Sequence, residues 1–148
     1  MPRHAEQRVL PYPTGFIFDV VLGVEYYPDF LPWCRASRVY GRKEGEFMAD
    51  LVIGFRMLRE TWTSRVHYEK PARIAVDYIK GPMKYLHNEW TFSPHAEGTI
   101  VDFVIDFEFK NPLFEKIAGG LFEEAVHRMM AAFERRVEIL AGRKRPLP

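Results

Sequence analysis

Between Arg35 and Lys110 apolar and polar residues mostly alternate with a period of two, and the alternation breaks at Lys43-Glu44-Gly45, at Lys70-Pro71, at Gly81-Pro82 and across residues 94–98. Side chains of a strand point to opposite faces in turn, so this pattern requires half-buried strands, and breaks so close together leave room only for tight reversals. The segment therefore reads as an antiparallel meander with one apolar and one polar face. In FMADLVI the inward set is Phe47, Ala49, Leu51 and Ile53. Between Val101 and Phe109 it is Val101, Phe103, Ile105, Phe107 and Phe109, opposite Asp102, Asp106 and Glu108.

After Asn111-Pro112 the period changes. Asn caps free amides and Pro costs nothing at the first helical position, so the pair starts a helix. The helix is expected to run to about Leu140, with Phe122, Val126, Met129, Phe133, Val137 and Leu140 on one stripe. Gly119-Gly120 inside it costs roughly 0.8 to 1.0 kcal/mol per glycine, offset by a bend or by close approach to the sheet. Upstream, Ile17, Val20, Val21 and Val24 follow a capping Thr14 as a short helix, and Pro28 and Pro32 restrict a second helix to a turn or two. The order is α+β: a strand, two short helices, a run of antiparallel strands and a long C-terminal helix covering the apolar sheet face. A sheet that must curve around one helix either encloses an apolar void between them or fills it with its own side chains, and the pattern alone allows both. Residues 1–141 read as a single domain and residues 142–148 as a basic tail.

Composition narrows the function. The 148 residues carry 21 Lys plus Arg against 20 Asp plus Glu, so net charge offers no global reason to expect nucleic acid. Cys34 is the single cysteine, which excludes an intrachain disulfide or a multi-thiolate metal centre. The longest apolar run near the N-terminus is far short of the ~20 residues that cross a bilayer, and a cytoplasmic location is the expectation. The 12 Phe, 7 Tyr and 3 Trp exceed what a small core needs for stability. There is no phosphate-binding glycine motif, and His4, His67, His87, His95 and His127 show no ligand-pair spacing. Cys34 in its Pro-bent segment reads as a structural thiol, and Asp77, Asp102, Asp106 and Glu108 alternate outward, so no catalytic residue, metal or cofactor is assigned.

Residues 27–34 (YPDFLPWC), 50–55 (DLVIGF), 63–66 (TSRV), 90–94 (WTFSP), 106–112 (DFEFKNP) and 131–136 (AAFERR) resemble the coenzyme Q-binding START-like family, over nearly the whole chain. That family sits with the polyketide cyclase and lipid-transfer START domains and also contains bacterial ribosome association toxins. The resemblance implies a helix-grip, START/Bet v 1-like fold, in which a curved antiparallel sheet wraps a long C-terminal helix around an apolar tunnel. It further implies a non-catalytic binder of ubiquinone or a similar isoprenoid lipid, serving respiratory electron transport or quinone biosynthesis. The residues 52–60 and 86–90 lie closer to the quinone-binding branch than to the toxins. On that reading Leu51, Ile53, Trp62, Val66, Trp90, Phe92, Phe103, Phe107, Phe122, Val126, Met129 and Phe133 line the tunnel, and Ser64 either supplies one polar contact to a quinone carbonyl or is simply a satisfied strand residue. An ordinary core would use the same residues. The tip Phe55-Arg56-Met57-Leu58-Arg59 places three apolar side chains between arginines, suited to docking on the cytoplasmic face of the inner membrane or to folding over the tunnel as a lid. The alternative role is a ribosome-binding inhibitor of subunit association, using Arg35, Arg38, Arg42, Lys43 and the Arg143-Lys144-Arg145 tail; a polyketide cyclase or dehydrase ranks third. Head group, tail length and oligomeric state are left open.

Overall fold

The computed structural model describes residues 3–55, 58–110 and 112–144, and the side chains of these except 55, 58, 112–122 and 143–144. Strand β1 (Arg3–Leu10) leads into helix α1 (Thr14–Leu22) and a 3₁₀ helix (Val24–Asp29). Then come β2 (Cys34–Lys43), β3 (Glu46–Phe55), β4 (Leu58–Glu69), β5 (Arg73–Lys80), β6 (Met83–His95), β7 (Gly98–Phe109) and helix α2 (Pro112–Lys144). The strands form one seven-stranded sheet in the order β1-β7-β6-β5-β4-β3-β2, antiparallel throughout. Helix α2, with 33 residues, is about 50 Å long and lies against the sheet's apolar side. This is the helix-grip arrangement.

Alternation and burial agree most fully along β7. Val101, Phe103, Ile105 and Phe107 of β7 are buried, while Asp102 accepts a hydrogen bond from Gln7 at 2.8 Å and Asp106 and Glu108 lie 3.7 and 3.5 Å from Arg3 and Lys84. The opposite, convex face of the sheet carries a charged ladder: His67 lies 3.4 Å from both Glu46 and Asp77, and His87 lies 2.7 Å from Asp77.

Four local readings are revised. Pro13, at φ −61° and ψ 144°, occupies the cap position of α1 with no side-chain bond, and Thr14 is already helical. The Thr14 hydroxyl lies 3.0 Å from that of Thr99, which donates to the Tyr12 carbonyl at 2.8 Å, so it ties helix to sheet instead of capping. Pro94 pairs with Thr99 inside β6, and the reversal narrows to Ala96-Glu97. Gly98 begins β7 at φ +138°, where a Cβ would lie 2.2 Å from the Leu10 carbonyl; only glycine lets β1 pass so closely. Helix α2 continues through Gly142, Arg143 and Lys144, because basic side chains favour the C-terminal end of the helix dipole. Residues 145–148 and the capping Asn111 lie outside the described residues.

Candidate functional site

Cross-strand register sorts the helix-facing side chains into rows. One row contains Tyr68, Ile74, Trp90 and Phe103; the next contains Phe47, Val66, Val76, Asn88 and Ile105; beyond it lie Ala49, Ser64 and Tyr78, level with Leu86 and Phe107. Leu51 and Trp62 pair in the row after that, and Ile53 and Glu60 in the last.

The first rows are closed by their own rings. Phe133 of α2 stands edge-on to Trp90 at 5.2 Å, to Tyr27 at 5.3 Å and to Phe30 at 5.4 Å, and Trp90 packs on Phe103 at 4.5 Å. Between Leu10, Ile17, Val21, Trp90, Met130 and Phe133 there remains a gap of about 10 Å³, room for about one water. Helix α1 seals this end, with Phe18 edge-on to Phe92 at 5.7 Å.

Toward the tips of β3 and β4 the packing changes. Leu51, Ile53, Trp62, Val76, Tyr78 and Phe109 face the same side, yet each is only half-buried. Trp62 and Tyr78 stand edge-on at 6.0 Å, and the Tyr78 hydroxyl accepts a hydrogen bond from the Met83 amide at 2.8 Å. Burial raises the Tyr78 pKa; the hydrogen bond from the Met83 amide opposes this and the nearby Glu60 adds to it, leaving the phenol above its ordinary value. Ser64 is half-buried on the inner side and Arg65 is exposed on the outer, as the alternation requires.

Of the side chains assigned to a tunnel, Val66, Trp90, Phe92, Phe103, Phe107, Val126 and Phe133 are buried, whereas Leu51, Ile53, Trp62, Ser64 and Met129 are half-buried. Phe122 lies outside the described side chains, as do Phe55 and Leu58; Arg56 and Met57 lie outside the described residues. Phe55 pairs with Leu58 across that tip, and Arg59 is exposed. The helix contributes Met130 to the core more deeply than Met129.

The edge strand β1 turns a polar row toward α2. Glu6 lies 2.9 Å from His4, 3.5 Å from Arg8 and 3.4 Å from His127 of the helix, and Arg8 donates to Glu134 at 2.6 Å. Burial raises the Glu6 pKa, but the hydrogen bond from His4, the charge of Arg8 and the contact with His127 outweigh it and hold the carboxyl below its usual value. Cys34 is buried, its thiol pushed up to about 11 by burial, which makes it a poor nucleophile. Among the described residues no group of three or more His, Cys, Asp or Glu is placed to hold a metal ion, and no helix is long and apolar enough to cross a membrane.

Two features were not singled out from the sequence. A surface groove of about 190 Å³ runs between α1, the 3₁₀ helix and α2, lined by Phe16, Val20, Tyr26, Phe30, Arg136 and Leu140. Asn88 occupies an inward position of β6 between Leu86 and Trp90; extending the period of two through LHNEW would have found it.

The sheet is thus closed at one end and lined with half-buried apolar side chains at the other. A family model described as polyketide cyclase/dehydrase and lipid transport matches residues 10–134. The chain belongs to that family. Within this polyketide cyclase and lipid transport family, the ribosome association toxin RatA of Rickettsia prowazekii is 36% identical over 135 residues, covering 88% of this chain and 92% of that protein. The mitochondrial coenzyme Q-binding protein COQ10 homolog B of Xenopus laevis is 31% identical over 146 residues, covering 95% of this chain and 60% of that protein. The solution structure of an 18 kDa protein from Caulobacter crescentus superimposes with a TM-score of 0.79 at 37% identity, covering 96% of this chain and 99% of that one.

Proposed function

We propose that the protein is a non-catalytic binder of a prenylated quinone or a closely similar isoprenoid lipid, held between the β3–β6 side of the sheet and α2. The carrying observation is the strip of half-buried apolar side chains, Leu51, Ile53, Trp62, Val76, Tyr78 and Phe109, beside an interior that is otherwise densely packed. Ten isoprenoid carbons buried there supply about 8 kcal/mol at ~0.8 kcal/mol per carbon, enough for micromolar affinity without a charged contact. A pocket of roughly 300 to 1,000 Å³ is too small for a long polyprenyl tail. The rest of the tail stays in a bilayer, for which the Phe55–Arg59 tip is the docking element at the cytoplasmic face. The likeness to COQ10 homolog B supports this ligand class.

The likeness to RatA supports a second reading, association with a ribosomal subunit. Arg35, Arg38, Arg42 and Lys43 stand exposed along the edge strand β2, a basic surface that such a partner would need. An enzymatic cyclase or dehydrase would call for an acid or base on the inner side of the sheet. On the described inner rows of β3 to β7 the acidic group is Glu60, at the exposed end.

The two readings separate in a paired experiment. Calorimetric titration with a quinone bearing two isoprene units is expected to give saturable micromolar binding. Absence of binding, together with salt-dependent co-sedimentation with ribosomal subunits, would replace the first reading by the second.

A further inference from the structure

We infer that Asn88 is the head-group contact of the proposed lipid site and that it selects lipids whose ring carries a hydroxyl, a prenylated phenol or quinol over the oxidised quinone. The inference rests on the lipid-binding reading and adds to it a redox preference.

Asn88 pairs with Val76 on β5 and Ile105 on β7, and its neighbours on the same face of β6 are Leu86 and Trp90. The amide therefore stands in an apolar wall. Its Oδ1 is buried and accepts no hydrogen bond, the one buried side-chain polar atom in that condition among the described residues. Polar groups elsewhere in the protein are met: Tyr78 accepts from the Met83 amide, Tyr27 donates to the Val21 carbonyl, and Thr99 donates to that of Tyr12. Leaving an amide carbonyl desolvated and unmet opposes folding, and an apolar residue of similar size would avoid that cost. Asn88 as a residue is half-buried, so its carbonyl sits at the edge of the packed interior, where an arriving partner can meet it.

The place of Asn88 says what that partner is. Its row divides the interior: on one side Trp90 and Phe103 are closed by Phe133, and on the other Ser64, Tyr78 and Leu86 lead to the half-buried strip. A ring entering from the strip with its tail trailing outward meets Trp90 as a wall and the Asn88 carbonyl at its leading edge. A carbonyl only accepts, so the complementary ligand atom is a donor. A phenolic hydroxyl completes the bond; a quinone carbonyl sets two acceptors against each other. Turning the amide over would bury two N–H donors in place of one acceptor, a larger unmet demand in the unliganded protein.

The test is anaerobic calorimetry with the two-isoprene compound in three forms: quinone, quinol and the quinol's dimethyl ether. The wild-type protein is expected to bind the quinol roughly tenfold more tightly than either of the others. In Asn88→Leu the three affinities should converge, with a thermal midpoint of the unliganded protein equal to or above that of wild type. Equal affinities in the wild type, tighter binding of the quinone, or a preference that survives in Asn88→Leu would overturn the role of Asn88 while leaving lipid binding intact. The ether keeps the question answerable should the variant fold poorly. Binding of none of the three would overturn the lipid reading itself, and this inference with it.

Discussion

Phe133 touches three other rings, Trp90 from β6, Tyr27 from the 3₁₀ helix and Phe30 from the turn after it, and so joins three parts of the chain at one point. Truncating such a residue removes its transfer energy and leaves a cavity that this packed end cannot collapse. Phe133→Ala should lower unfolding stability by about 3 to 5 kcal/mol, read from the denaturant midpoint. The same residue was legible as core from the helical stripe, as were Val126 and Val137. The deeper burial of Met130 than of Met129 was not, since adjacent residues of one type on a helix differ only by the angle at which the helix rolls onto the sheet. Asn88 stood at an inward position of an alternating strand, so its location was legible; that its carbonyl is unmet depends on which neighbours three strands bring around it.

At the scale of elements, β1 is the strand the sequence announces least. Its inward side is His4, Glu6 and Arg8, the reverse of an apolar face, because β1 is an edge strand whose inner side meets polar residues of α2. Pairing with β7 and the contacts from Glu6 to His127 and from Arg8 to Glu134 hold it there. The carboxyl of Glu6 sits below its ordinary value of 4.5, so its contribution to stability is complete above that value and fades as pH falls through the lower folded-state value. Glu6→Gln should therefore cost about 1 kcal/mol at pH 7, with the difference from wild type shrinking as pH falls below 4.5 and through the lower folded-state value, measured by denaturant unfolding across that range. A constant difference would mean the charge is not what holds β1 to α2. By contrast β3, β7 and the turn at Gly81-Pro82 were legible at once, since one wet and one dry face impose alternation. The reversal at Phe55–Leu58 was placed from the sequence although it carries no glycine or proline, and the register of β3 on β4 agrees.

For the molecule as a whole, the division of the interior matters more than its size. Around Phe133 the sheet, the short helices and α2 form a solid wedge with a gap of only about 10 Å³. Toward the β3–β4 tip the same sheet carries half-buried apolar side chains with Asn88 on the boundary. The excess of aromatic residues thus serves two purposes, a rigid floor and an oily wall. The sequence spacing supplied the curved sheet and its covering helix, but whether such a fold closes completely depends on side-chain volumes summed over many rows, which no local pattern encodes. The most direct measurement is mass spectrometry of an organic extract of the natively expressed, purified protein. The account predicts a co-purifying prenylated phenol, quinol or quinone in an amount approaching the protein's own. Repeated extracts free of lipid, from protein that travels with ribosomal subunits, would contradict it.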